Sequence, residues 1–135
     1  QTFRFQLSKE DVWDALLDVL MRNYNLTIID HKSGLVTTEW DSFYLNGKVY
    51  RNKVSIRVRS ISRKAVDVMV HNNVEKLAQG DSSNYTANAN IWLPSEDVAG
   101  ETGRIAQNLA LILRQPPPVM PQGMMATGQK SNEIR

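Results

Sequence analysis

Asp30, His31 and Ser33 are the residues whose types could supply an acid, a base and a hydroxyl nucleophile. Acyl-transfer chemistry needs the imidazole within hydrogen-bond reach of the hydroxyl and the carboxylate behind it, a geometry that neighbours in one turn rarely reach. The second histidine, His71, stands at the end of an apolar-alternating run, and no His/Asp/Glu spacing matches a metal site. The 135 residues contain no cysteine, which excludes thiolate nucleophiles, thiolate metal ligands and disulfides. A non-enzymatic chain is expected, with no catalytic residue, metal or cofactor.

Binding chemistry is better represented. Between Phe43 and Val66 stand Lys48, Arg51, Lys53, Arg57, Arg59, Arg63 and Lys64, with no acid among them. Arg57 and Arg59 fall on one face of an alternating strand. Such a stretch can read polyanions or anionic lipid. It can equally be a solvated sheet face, partly neutralised by Asp67 and Glu75 from the next strand. A stacking platform for nucleic acid would interleave exposed rings with the cations, and only Tyr44 and Tyr50 are near. Nucleic acid is therefore not the expected partner. Trp13, Trp40 and Trp92 each sit at an element edge, where core or rim packing is the simple reading. Trp40, at a strand end beside a loop, is also a candidate partner anchor. Met120, Met124 and Met125 lie in a proline-rich stretch that could dock as an extended peptide or end the chain as a free terminus.

The elements that must position these groups follow from periodicity. Thr2 to Leu7 alternates as a short strand. Ser8 suits an N-cap and Asp11 the acid of a capping box. A helix then runs to about Asn23, with Trp13, Leu16, Leu17, Leu20 and Tyr24 on one stripe and Val12 and Val19 widening it. Leu26–Asp30 and Leu35–Trp40 read as a hairpin turning at His31 to Gly34. Asp41 to Asn52 reads as a loop holding the turn signal Asn46-Gly47. Lys53–Ser60 and Ala65–Val74 alternate as an antiparallel pair, with Val54, Ile56, Val58, Val66, Val68 and Val70 inward. Ala78 to Asn90 is a polar loop. Ile91 to Leu93 is apolar, and Pro94-Ser95 is expected to open a second helix running to about Gln115, frayed near Gly100 and Gly103. Pro116-Pro-Pro118 stops it.

At 41% hydrophobic and 22% charged residues, with a net charge of +2, the composition suits one globular domain. No apolar run is long enough to span a membrane. Residues 1–115 form the expected domain and residues 116–135 a Pro/Met-rich extended or disordered tail. The fold class is α+β, with two helices on a curved antiparallel sheet of about four to six strands in β-α-β-β-β-β-α order. The chain opens on Gln1 in a strand-like run, and a targeting segment upstream is expected.

Specific residues carry a resemblance. They are Val12-Trp13 with Leu16 and Leu20, the hairpin Gly34-Leu-Val-Thr-Thr-Glu-Trp40 with Asp30, and Lys48-Val-Tyr-Arg51 before Val54–Val58. Over roughly Leu7 to Arg114 the chain resembles the helix-grip domains of the outer-membrane assembly lipoprotein BamC and related bacterial envelope lipoproteins. The resemblance implies a periplasm-facing, outer-membrane-attached accessory or scaffold domain. Such a domain serves outer-membrane assembly or a secretion-type complex by protein-protein contacts, with other envelope proteins as partners. It implies membrane attachment only through a lipid anchor upstream of Gln1, and no active site. Two alternatives remain: a binder of nucleic acid or anionic surfaces through Arg57 and Arg59, and a carrier of a small apolar ligand between helix and sheet.

Overall fold

A computed structural model describes residues 1–78 and 91–116. The stretch expected as a polar loop (79–90) and the one expected as an extended tail (from 117 onward, with Met120, Met124 and Met125) lie outside the described residues. The described elements are β1 (Thr2–Phe5), α1 (Lys9–Asn23), β2 (Leu26–Asp30), β3 (Leu35–Thr38), β4 (Asp41–Leu45), β5 (Lys48–Ser62), β6 (Ala65–Ala78), β7 (Ile91–Ser95) and α2 (Glu101–Leu113). Over the described residues the protein is α+β, with two helices and one open antiparallel sheet of seven strands. That is more than the four to six expected.

The sheet is organised by the long β5–β6 hairpin. Each of its outer edges is shared by two short strands. β5 pairs with β3 at Arg57–Ser55 and with β4 at Asn52–Lys48. β6 pairs with β1 at Val66–Met69 and with β7 at Val74–Ala78. Alternation along β5 and β6 sends Val54, Ile56, Val58, Val66, Val68 and Val70 to one face, where all are buried. Both helices lie on that face. Val12, Leu16, Val19 and Leu20 of α1 and Ile105, Ala106, Leu109 and Ala110 of α2 close the core. Ser8 caps α1, its hydroxyl accepting the Asp11 N–H at 3.2 Å.

Two expectations are corrected. The segment from Asp41 to Asn52 is no loop: it is β4 and the start of β5, joined by Asn46 and Gly47, both at positive φ (53° and 77°). Such a two-residue turn matches the right-handed twist of the paired strands. Pro94-Ser95 does not open α2 but ends β7, with Pro94 opposite Glu75. Proline is tolerated there because β7 is an edge strand, with one side free of ladder bonds. The helix begins six residues later. Gly100 takes a left-handed conformation (φ 67°), and the Asp97 carboxylate accepts the N–H groups of Glu101 and Thr102, each at 3.0 Å.

Candidate functional site

The face of the sheet away from the helices carries the odd-numbered side chains of β5 and β6, and no second layer covers it among the described residues. Its centre is Arg51. The guanidinium carbon lies 4.2 Å from the centroid of Trp40 and 4.3 Å from that of Trp92, so two indoles flank one cation. Arg51 also donates from Nε to Glu75 at 2.8 Å, with Nη2 at 2.6 Å from the same carboxylate. Lys53 Nζ stands 5.2 Å from the Trp40 ring. A cation held over an indole contributes roughly 0.5–2 kcal/mol depending on its desolvation. The ion pair sits at about a quarter exposure on both sides, so it is screened less than a surface pair.

Each member is placed by a different element. Arg51 and Glu75 are directly opposite in the β5–β6 ladder. Trp92 enters from β7, opposite Leu77 of β6. Trp40 sits in the crossover from β3 to β4, and that crossover is pinned from the core side. The fully buried Thr38 accepts the Val54 N–H on its hydroxyl at 2.9 Å, filling the break where β3 leaves β5 and before β4 joins it. Glu39 N–H donates to Asn25 O at 2.8 Å, holding the same crossover to the start of β2.

The surrounding field is cationic. Arg57 and Arg59 project from the same face and are exposed. Arg59 stands opposite Asp67. The hydrogen bonds from Arg4 (2.7 and 3.1 Å) hold the Asp67 carboxyl below the usual carboxylate range, with Arg59 adding to the effect. Tyr44 on β4 is 72% exposed.

Tyr50 is a correction. Expected as a surface contact, it is only 8% exposed and stacks on Phe43 (centroids 5.4 Å apart, planes 13°), because even-numbered residues of β5 face the helices. Asp30, His31 and Ser33 do not converge. His31 Nε2 meets Glu10 at 3.0 Å and its ring packs edge-on to Trp13, while Asp30 Oδ1 accepts the Ser33 N–H at 3.3 Å. Hydrogen bonds from Ser33 hold the Asp30 carboxyl below its ordinary value. Among the described residues no cluster of three or more His, Cys, Asp or Glu could hold a metal ion.

Trp40 and Arg51 were visible in the sequence, one as a candidate anchor and one within the basic stretch, but their partnership with Trp92 was not. The arrangement can hold and orient a partner; it contains no nucleophile beside a base. Trp and Arg are the residue types that most often dominate binding energy at protein interfaces. Here the cation, the rings and the carboxylate are already ordered, which lowers the entropy lost on binding. No protein-family model matches the chain, and no curated protein matches it in sequence.

Proposed function

We propose that this chain is a non-enzymatic envelope lipoprotein domain of the helix-grip type. It serves as an accessory or scaffold in outer-membrane assembly or a secretion-type complex. Its open sheet face, centred on Trp40, Arg51 and Trp92, docks an envelope protein that presents an acidic, partly apolar segment. The observation that carries the reading is the indole–guanidinium–indole stack on a net-basic face that no other element covers among the described residues. The envelope location and the lipid anchor upstream of Gln1 rest on the residue resemblance alone.

A photo-crosslinking residue at Ser42, which is exposed and opposite Arg51, tests it in cells. Crosslinks to an envelope protein are expected, lost in Trp40→Ala with Arg51→Ala and retained when the probe's neighbours are unchanged. Crosslinks to cytoplasmic proteins alone would sink the proposal. A runner-up reading, binding of nucleic acid or anionic surfaces through Arg57 and Arg59, is favoured by their shared exposure on this face. It requires affinity that falls steeply with salt, whereas the protein-docking reading requires no binding to single-stranded nucleic acid even at low ionic strength.

A further inference from the structure

On the side of the sheet away from the helices, β5 presents Arg51, Lys53, Ser55, Arg57 and Arg59 in single file. Successive side chains on one face of a strand stand about 6.8 Å apart, so the file from Lys53 to Arg59 is about 20 Å long. Its cations differ in what they already hold. Arg51 is engaged by Glu75 and the two indoles. Lys53, Arg57 and Arg59 form no ion pair among the described residues. Asp67 stands opposite Arg59, but its carboxylate accepts both hydrogen bonds from Arg4. The files on either side are different in kind. On β3, Leu35 stands opposite Arg57 and Thr37 opposite Ser55. The β6 file carries the two carboxylates, Asp67 and Glu75. Unpaired positive charge is thus one strand wide, with acids on the next strand about 4.8 Å away.

We infer that the partner segment docked on this face is an extended chain with acidic side chains at alternate positions, lying along β5 over Lys53, Arg57 and Arg59. The inference rests on the protein-docking reading and adds the conformation and spacing of the partner. An extended chain turns every second side chain to one side with the same period of about 6.8 Å, so its carboxylates meet the cations in step. It is also about one strand wide, which keeps it clear of Asp67 and Glu75. A helix is about 10–12 Å across with its side chains. Laid on the same file, it would cover β6 as well and bring its acids towards those carboxylates. A docked helix further needs an apolar groove, and beside Arg57 the face offers only the half-buried Leu35 and Met69. At the Arg51 end the edges of Trp40 and Trp92 suit an apolar residue of the same segment. The phosphates of a single-stranded nucleic acid could follow such a file, but its bases need free ring faces to stack on. Arg51 occupies the facing sides of both indoles.

The test titrates the full chain, at low salt, into four fluorescently labelled probes and reads their anisotropy. The probes are a short peptide alternating Glu and Thr with Leu at each end, an isomer of the same composition with the Glu residues consecutive, a stable helical peptide of the same charge, and a single-stranded oligothymidylate. The alternating peptide is expected to bind about tenfold more tightly than the isomer or the helix, the size of a few exposed ion pairs made in one and not in the others. Arg57→Gln with Arg59→Gln should cut that preference to about twofold or less. Arg63→Gln, which removes a charge at the exposed turn beyond the file, should keep it. Should the double variant melt below the parent, Lys53→Gln makes the comparison in its place. The inference is overturned if the isomer or the helix binds as tightly as the alternating peptide, if Arg63→Gln erases the preference as fully as the double variant, if no peptide binds, or if oligothymidylate binds more tightly than the alternating peptide. Equal binding by all three peptides removes the extended conformation alone. Whether an envelope protein docks on this face is decided separately, by the crosslinks from Ser42.

Discussion

Gly34 and Gly47 both turn hairpins at positive φ, yet they do different jobs. At Gly34 (φ +73°) an added Cβ would lie 2.2 Å from the backbone oxygen of Val58, and the Val58 N–H donates to the Gly34 carbonyl at 2.7 Å. The turn of one hairpin is thus seated on the middle of β5, and both partners are backbone that cannot step aside. At Gly47 (φ +77°) the space is open. Gly34→Ala is therefore expected to lose about 2–4 kcal/mol, strain plus a clash that displaces backbone. Gly47→Ala should lose only about 1 kcal/mol, from strain alone. Urea unfolding of the two variants makes the comparison, and equal losses would contradict it. Thr38 invites a second test. Its hydroxyl is the acceptor for the Val54 N–H in the gap between β3 and β4. Thr38→Val keeps the shape and removes that acceptor, at an expected loss of about 1–3 kcal/mol, while Thr38→Ser retains most of the stability. Because Thr38 precedes Trp40 by two residues, Thr38→Val should also loosen the stack, read as a change in tryptophan fluorescence.

At the scale of elements, the legible parts were those with a repeated signal. The α1 stripe, the Ser8 cap and the Gly34 turn all stand where the periodicity and turn chemistry put them. β4 was missed because Asp41-Ser-Phe-Tyr-Leu45 is short and the polar Asn46 and Gly47 made the whole stretch look like loop; the Asn-Gly pair was the signal for a hairpin. The start of α2 was misread because Pro94 and Glu96 imitate a helix opening, whereas the true opening uses the left-handed Gly100. The stack was hidden by register. Counting back from the Ser62–Ala65 pair would set Arg51 opposite Lys76, but the irregularity between Ser60 and Ser62 shifts it to Glu75. The alternation of Val54, Ile56 and Val58 against Val66, Val68 and Val70 demands that shift, since without it one valine set would face water. Trp92 could not be placed at all without the β6–β7 ladder. The two helices also make different caps. Ser8 satisfies one N–H of α1, while Asp97 satisfies two of α2 and places its charge at the positive end of the helix. Asp97→Ala is expected to lose about 1–2 kcal/mol and Ser8→Ala about 1 kcal/mol or less, measured by thermal unfolding at neutral pH. The reverse order would show that Gly100, not Asp97, terminates the helix.

For the molecule as a whole, acid should act on its two faces with opposite sign. On the sheet face, β1 is the terminal strand on β6. It is tied there by the Gln1 backbone nitrogen, which donates to the Val70 carbonyl at 2.9 Å, and by Arg4 on Asp67. The Arg4 hydrogen bonds lower the Asp67 pKa in the folded chain. The folded state thus holds its proton less tightly than the unfolded one. The stabilisation is complete above the unfolded carboxylate value of about 3.9 and disappears as pH falls through the lower folded value. On the helix side, burial raises the Glu101 pKa, and the charge of Arg104 only partly offsets it. Here the folded state prefers the protonated acid. That contribution is fully present below the unfolded value of about 4.3 and is lost as pH rises through the higher folded value. Arg4→Gln should therefore melt below the parent at neutral pH, with the gap closing under strong acid. Glu101→Gln fixes the uncharged form, so it should melt above the parent at neutral pH, its advantage likewise shrinking in acid. Melting temperatures of the three proteins from about pH 2 to 8 give the comparison. Parallel curves would mean that neither carboxylate titrates differently in the folded and unfolded chains. A Glu101→Gln variant that melts lower at neutral pH would mean that its ion pair with Arg104 outweighs the burial of its charge.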